Sequence, residues 1–282
     1  MYGTKKKPLA VIKVGGDVLL DEQEREGLAK NVEDLHRLGW NIIILHGGGP
    51  QVNKLQSQCG LKSHKISGRR ITSKEDLIVV KQAIAGEVNV NLVALLCAEG
   101  LPAFGCHGAS GSLIKATKRP PIKVSGHNDQ LIDFGEVGDV TEINVALLQQ
   151  LLAIDVIPVI ATLGIDDLGN IYNINADTTV IQIAIAMSAD LLLLITQIGG
   201  IYRDINDPNS LITDITPDQA QILIQQKVIK DGMIPKVEEA IICLNEGVKS
   251  IAITAASSKG VFKELAAVEN QHLDIKATRI YI

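Results

Sequence analysis

Residues 41–51, NIIILHGGGPQ, constrain the fold more than any other stretch, because a buried-looking apolar run stops there at three consecutive glycines. Residues 42–45 lack the period-two alternation of a half-solvated strand, so they predict a central parallel strand covered on both faces. At Gly47, Gly48 and Gly49 the backbone can present bare N–H groups, and Pro50 suits the first turn of a following helix. Strand, glycines and helix start bring amide donors and the positive end of a helix dipole to one place, the usual seat of a phosphate. A second copy lies upstream, where the short apolar run 10–14 ends at Gly15 and Gly16 with Lys13 just before the turn. A lysine there adds a point charge that amides cannot supply. Either diglycine alone could be a tight turn; together they suggest one phosphate site built from both.

The rest of the chain alternates strand and helix. Residues 21–38 carry Leu28, Val32, Leu35 and Leu38 at helical spacing, and Gly39 ends them. The resulting β-helix-β unit puts both glycine turns at the same edge of a parallel sheet. A second helix over 50–59 is followed by a polar hairpin over 62–72, with Arg69 and Arg70 near its tip. The long helix 74–99 has Ser73 as its cap and Asp76 as the capping partner. A strand over 101–106 and a Gly-, Lys- and Pro-rich second hairpin region over 107–139 come next. A helix over 143–152, a buried strand over 156–161 and a turn at 166–170 between two extended arms lead to NINAD, residues 173–177, which opens another helix. Near residue 189 the pattern restarts, with a strand over 191–196, a helix over 217–226 capped by Thr216, a loop over 230–236 feeding a helix over 237–246, a strand over 250–254 and an extended tail. This predicts a three-layer α/β fold.

Composition removes several function classes. With 282 residues, 46% of them hydrophobic, the chain can bury a large core. A net charge of −5 gives no general attraction to nucleic acid or an anionic membrane, and 3% aromatic content is too low for a base-stacking platform. Cys59, Cys97, Cys106 and Cys243 lack CxxC spacing, so no metal site and no disulfide framework is indicated, and buried thiols in a reducing cytosol are expected. The basic start leads into a strand, and no apolar run is expected to reach membrane-spanning length, so a soluble, cytoplasmic protein is expected. Neither GxxxxGK[ST] nor a strand-linked GxGxxG occurs. Lys13, Arg70, Asp177 and Lys236 stand out at the edges of elements, and Lys236 at a helix start opposes the dipole, so its placement calls for a reason beyond stability.

KVGGDVL, HGGGPQV, GRRIT, LIKA, YNINADT and KDGMIPKVEEA occur in the order found in the amino acid kinase family, which the chain resembles from about residue 9 to 253. The resemblance is greatest to the branch that phosphorylates N-acetyl-L-glutamate in arginine biosynthesis. It implies an open αβα sandwich with a mainly parallel central sheet and two lobes. Residues 1–188 would bind the acyl amino acid and form the dimer contact, and residues 189–282 would bind ATP. It also implies that Lys13 and Lys236 flank the transferring phosphoryl group and that Asp177 holds the two lysines. Gly15, Gly16 and Gly47 would give amides to phosphate with Thr196 beside the nucleotide, and Gly48 and Gly49 would meet the substrate. Arg70 and Asn173 would bind its α-carboxylate end, assisted by Asn175. Mg²⁺ would arrive with ATP and not in a protein cage.

Lys115 in LIKA is left open between a substrate contact and a surface lysine, Arg69 reads as a solvated charge, and His46 as a satisfied core imidazole. Three departures from the family pattern qualify the transfer: Gln197 follows Thr196 where an Asp is common, the loop 105–112 reads GCHGASGS, and the terminal signatures of arginine-inhibited members are missing. A homodimer without arginine feedback is therefore expected, not a hexameric ring. The alternatives are a kinase for a longer blocked acidic amino acid of the aminoadipate type, and a catalytically silent sensor.

Overall fold

The computed structural model describes residues 6–66, 69–124, 130–230, 233–267 and 275–281. Its core is an eight-stranded sheet of Leu9–Val14 (β1), Asn41–His46 (β2), Ala103–His107 (β3), Ile157–Ala161 (β4), Leu191–Ile195 (β5), Asp214–Ile215 (β6), Ser250–Thr254 (β7) and Ala277–Ile280 (β8). The strand order is β6-β8-β7-β5-β1-β2-β4-β3, and every neighbouring pair is parallel except β7 with β8. Because β1 leads to β2 on one side and pairs with β5 on the other, the glycine turns after β1 and β2 and the end of β5 meet where strand order reverses. In open α/β sheets, ligands bind in that crevice.

Period-two alternation sorts the buried strand residues onto two faces. Leu9, Val11, Ile43, Leu45, Leu192 and Leu194 face one core, packed by the helices Val145–Ala153 (α4), Ala176–Ala186 (α5), Pro217–Gln225 (α6) and Met233–Asn245 (α7). Ala10, Ile12, Val14, Ile42, Ile44 and Leu193 face the other, covered by Glu22–Arg37 (α1), the Lys74–Ala98 helix (α3) and Val261–Ala267 (α8). The helix after β2, Gly49–Gln58 (α2), stands at the edge where the strands end. Lys13 shares its face with Leu9 and Val11, so the same alternation turns the one cation of β1 toward α5 and α7.

Several boundaries move for local reasons. Helix α4 starts after Asn144, whose side chain accepts from Leu147 N at 3.1 Å, and Ile143 closes a strand instead. Helix α7 begins at Met233, so Pro235 lies in its first turn, where a missing N–H costs nothing. Ser73 and Asp76 form the expected capping box on α3, which turns π-helical over Gln82–Val88. By length and composition α3 reaches what a membrane span needs, against the expectation from the sequence, but Val80, Ile84, Val88, Leu92 and Leu96 bury it as a core helix. The arms around the 166–170 turn do not stand alone. Leu163–Ile165 and Ile171–Asn173 join Ile114–Lys118 and Gly138–Ile143 in a second, four-stranded sheet. Of the cysteines, Cys106 and Cys243 are buried as expected, while Cys59 and Cys97 are exposed, and all four are free thiols.

Candidate active site

The two glycine turns touch. A Cβ on Gly16 would lie 2.9 Å from Gly48 Cα and 3.0 Å from Gly49 N, so only glycine lets the backbones approach this closely. Gln51, one turn into α2, straps them together by donating from Nε2 to Gly16 O at 2.7 Å. Behind them His46 is fully buried, and burial pulls its pKa down to about 4, so it is neutral. Its Nδ1 lies 2.9 Å from Gly47 O and its Nε2 2.9 Å from Asn89 Nδ2. With Asn89 as donor to Nε2, the Nδ1–H donates to Gly47 and fixes that peptide's direction. The expectation of a satisfied core imidazole holds, and Gln51 and Asn89 are supports that the sequence reading missed.

In front of the turns stands a clasp of three charges. Asp177, in the first turn of α5 behind the Asn175 cap, places Oδ1 at 2.7 Å from Lys13 Nζ and Oδ2 at 2.7 Å from Lys236 Nζ. Both lysine side chains are largely buried, at 11% and 20% exposure. Burial alone would raise the pKa of Asp177, but the charges of Lys13 and then Lys236 outweigh it and bring the value down to about 2. The acid is ionised at any physiological pH, so the clasp carries one net positive charge. Glu239, a turn beyond Lys236 on α7, accepts from Thr178 Oγ1 at 3.1 Å. Its pKa is raised by burial and then by the neighbouring Asp177 charge.

On one side of the clasp lies a cavity of about 210 Å³, where α2 and α5 both begin. Gly47, Gly48 and Gly49 line it together with Arg70, Asn173 and Asn175. Arg70 is pinned by neutral acceptors: Asn53 Oδ1 at 2.6 Å, Ser63 Oγ at 2.7 Å, Gly49 O at 3.2 Å and Gln56 Oε1. Burial lowers its pKa and the Asp76 charge partly offsets that. Asn173 donates to Thr72 Oγ1 at 3.1 Å, and Asn175 uses its Oδ1 to cap α5 at Thr178 N, at 3.1 Å. Arg69 is exposed at the rim, as expected of it.

Two further cations, Lys65 and Arg119, line the cavity and were not singled out from the sequence. Lys65 faces Arg70 across the hairpin pairing, so its reach follows from that register. Arg119 is locked by Asp139 Oδ1 at 2.6 and 2.8 Å and lies over the Phe134 ring. Lys115, by contrast, lines neither this cavity nor the next and is a surface lysine, 3.2 Å from Asp167 and 3.6 Å from Glu142.

On the other side lies a cavity of about 790 Å³, shared between residues before and after the restart at 189. Lys13 and Lys236 form its inner end, with Thr196 and Gln197 after β5. Ile195, Ile198, Ile201 and Ile229 give it apolar walls, and Arg203, Lys227 and Lys230 give it cations. Thr196 Oγ1 accepts from Gly199 N at 3.1 Å and shapes the turn. Gly15 and Gly16 are buried and line neither cavity. The structure thus brings Lys13, Asp177 and Lys236 together, with the two lysines lining the large cavity and Ala176, next to Asp177, lining the small one beside Gly47, Gly48 and Gly49.

The family model for the amino acid kinase family matches residues 8–255. The chain is 41% identical over 251 residues to acetylglutamate kinase of Anaeromyxobacter dehalogenans, covering 89% of this chain and 92% of that one. It is 39% identical to acetylglutamate kinase of Methanocaldococcus jannaschii, covering 86% of this chain and 81% of that protein. Among solved structures, it is similar to smu.665 of Streptococcus mutans, with a TM-score of 0.74 at 29% identity, covering 97% of this chain and 98% of that one.

Proposed function

The chain belongs to the amino acid kinase family, and on that premise we propose that it transfers the γ-phosphoryl group of ATP to the side-chain carboxylate of N-acetyl-L-glutamate, a step of arginine biosynthesis. The observation that carries this reading is the pair of ammonium groups held by Asp177 at 2.7 Å each, between a small cation-lined cavity and a large one. The small cavity takes the acyl amino acid, with Arg70, Asn173 and Asn175 toward its α-carboxylate end and Gly48 and Gly49 toward the acyl end. The large cavity takes the nucleotide with Thr196 in its lining, and the amides of Gly15, Gly16 and Gly47 are assigned to phosphate although Gly47 lines the small cavity and Gly15 and Gly16 line neither.

The chemistry is economical in groups. A glutamate side chain has a solution pKa of about 4.3, so the acceptor is already ionised and no general base is required. That agrees with cavities in whose lining no imidazole appears among the described residues, and with a His46 that is neutral and turned toward Gly47 and Asn89. A carboxylate oxygen attacks the γ-phosphorus, the bond to the bridging oxygen breaks, and ADP leaves with that electron pair. Two anions resist approach, and fixed cations with oriented amides are what lowers that barrier. Mg²⁺ accompanies ATP, bound chiefly by phosphate and water.

The active form in this reading is a homodimer. The open edge of β3 exposes Phe104, and on the adjoining helix α3 Val90 is 62% exposed, an apolar face suited to a second copy. Exposed free thiols at Cys59 and Cys97 suit the reducing cytoplasm. Purified protein with ATP, Mg²⁺ and N-acetyl-L-glutamate should form an acyl phosphate trapped by hydroxylamine, and N-acetyl-L-aminoadipate should compete poorly. Preference for the longer acid would transfer the assignment to that substrate. Absence of any hydroxamate with either would leave a sensor in place of a kinase.

A further inference from the structure

The inner end of the large cavity contains a carboxylate that the clasp does not use. Asp17 follows the glycine turn of β1 and lines this cavity with Lys13, Thr196 and Lys236. Its backbone is anchored, since Asp17 O accepts from Leu20 N at 3.0 Å and from Gln197 Nε2 at 3.4 Å. Its side chain is in the capping position of the short Val18–Leu20 turn yet makes no capping hydrogen bond there. Instead the carboxylate folds over Gly15, where a Cβ would come 2.2 Å from Oδ1. The residue is half-buried, and the structural reason most often given for an Asp at a helix start is therefore missing.

Asp204, the second acid lining the cavity, is committed to its own turn, accepting from Asn206 N at 3.0 Å and Nδ2 at 3.3 Å. Asp17 is the acid left over, beside the glycine turns and two lysines. Next to a polyphosphate it is repulsive by itself. With a divalent cation between them, the same hard oxygen donor becomes attractive.

Building on the kinase reading, we propose that Asp17 is the protein's own contact to the Mg²⁺ that enters with the nucleotide, made directly or through one of the metal's waters. The described residues contain no group of three or more His, Cys, Asp or Glu that could hold a metal. That donor set fits a cation held mainly by phosphate oxygens and water, with one carboxylate fixing its position. The carboxylate would thereby orient the β- and γ-phosphates toward Lys13 and Lys236, and it would penalise nucleotide arriving without its metal.

The test is calorimetric binding of ADP with and without Mg²⁺ to the full chain and to its Asp17→Asn variant. The variant should bind Mg·ADP roughly tenfold more weakly and metal-free ADP more tightly, so that the two affinities move in opposite directions. Asp17→Glu should restore most of the preference for the metal complex, and in the unsubstituted protein Mn²⁺ bound with ADP should enhance water-proton relaxation more than in Asp17→Asn. Affinities that shift by the same factor, or no change in either, overturn the proposal while leaving the kinase reading intact. Failure of the unsubstituted protein to bind ADP in any form overturns both.

Discussion

The two cavities flanking the Asp177 clasp recognise by different means. In the small one two of the cations are guanidiniums whose directions are held by neighbours, Arg70 by Asn53, Ser63 and Gly49 and Arg119 by Asp139 and Phe134, while Lys65 and Arg69 are exposed. In the large one Lys13 and Lys236 sit on β1 and α7, and Arg203, Lys227 and Lys230 on connecting segments, set against isoleucine walls. A preset fork selects by shape and pays little ordering entropy on binding, whereas ammonium point charges without a fixed fork geometry tolerate a bulkier guest. If the small cavity takes the acceptor and the large one the donor, as proposed, the difference teaches that selectivity for the acceptor would reside in preorganised geometry and that the donor would be gripped mainly by charge.

Substitutions can break or sharpen that contrast. The largest effect is expected at the junction that both sides share. Lys236→Ala should lower kcat by about 10²–10³-fold with little change in the affinity of either reactant, read by hydroxamate formation and calorimetry. An unchanged kcat would remove Lys236 from the transition state.

Next is the contact between the glycine turns. Gly16→Ala drives a methyl group against Gly48 Cα and Gly49 N, and displacement of that floor should cost up to ~10²-fold in kcat/KM. Gly86→Ala, in α3 and outside both cavities, meets no atom within 4 Å and should leave kcat/KM unchanged, which makes it the control for a general glycine effect. Equal losses from both would mean that the close approach is unimportant.

On the acyl side, Arg70→Ala should raise KM for the acyl amino acid roughly tenfold or more while leaving ATP affinity alone. A fall in ATP affinity instead would put Arg70 in the wrong subsite and undo the contrast between the cavities.

The smallest effect is expected in acid stability. Unfolded His46 takes up a proton below about 6.5, but the folded side chain does so only near 4. Its contribution is therefore complete above 6.5 and is lost as the pH falls toward 4, whereas the contribution of Asp177 is lost only below 3.8, toward about 2. Denaturant midpoints between pH 7 and 4 should fall for the unsubstituted chain and stay flatter for His46→Gln. Identical slopes would take His46 out of the acid response.

Much of this arrangement was legible in the chain. The central strands were visible as apolar runs ended by glycine, because burial on both faces leaves no polar position to blur the signal. Lys13, Asp177 and Lys236 stood out because each is a charge at the edge of an element, and Lys236 also opposes the dipole of its helix. The second sheet was not legible. Leu163–Ile165 and Ile171–Asn173 are three residues each, and Ile114–Lys118 pairs with partners distant in sequence, so no local periodicity announces them. The start of α7 was placed too late because Pro235 reads as a breaker, although a proline in the first turn breaks nothing. Lys65 and Arg119 escaped notice because charged residues in hairpins are normally solvated; only the register that sets Lys65 opposite Arg70 could have drawn attention to the first.

Strand β1 is bonded along its whole length to β2 and, from Ala10 to Val14, to β5. In the proposed reading, acceptor and donor are consequently mounted on one rigid plank. Swinging them apart at a joint would mean unzipping a ladder of buried inter-strand hydrogen bonds, so in that reading the distance over which phosphorus travels would be set when the chain folds.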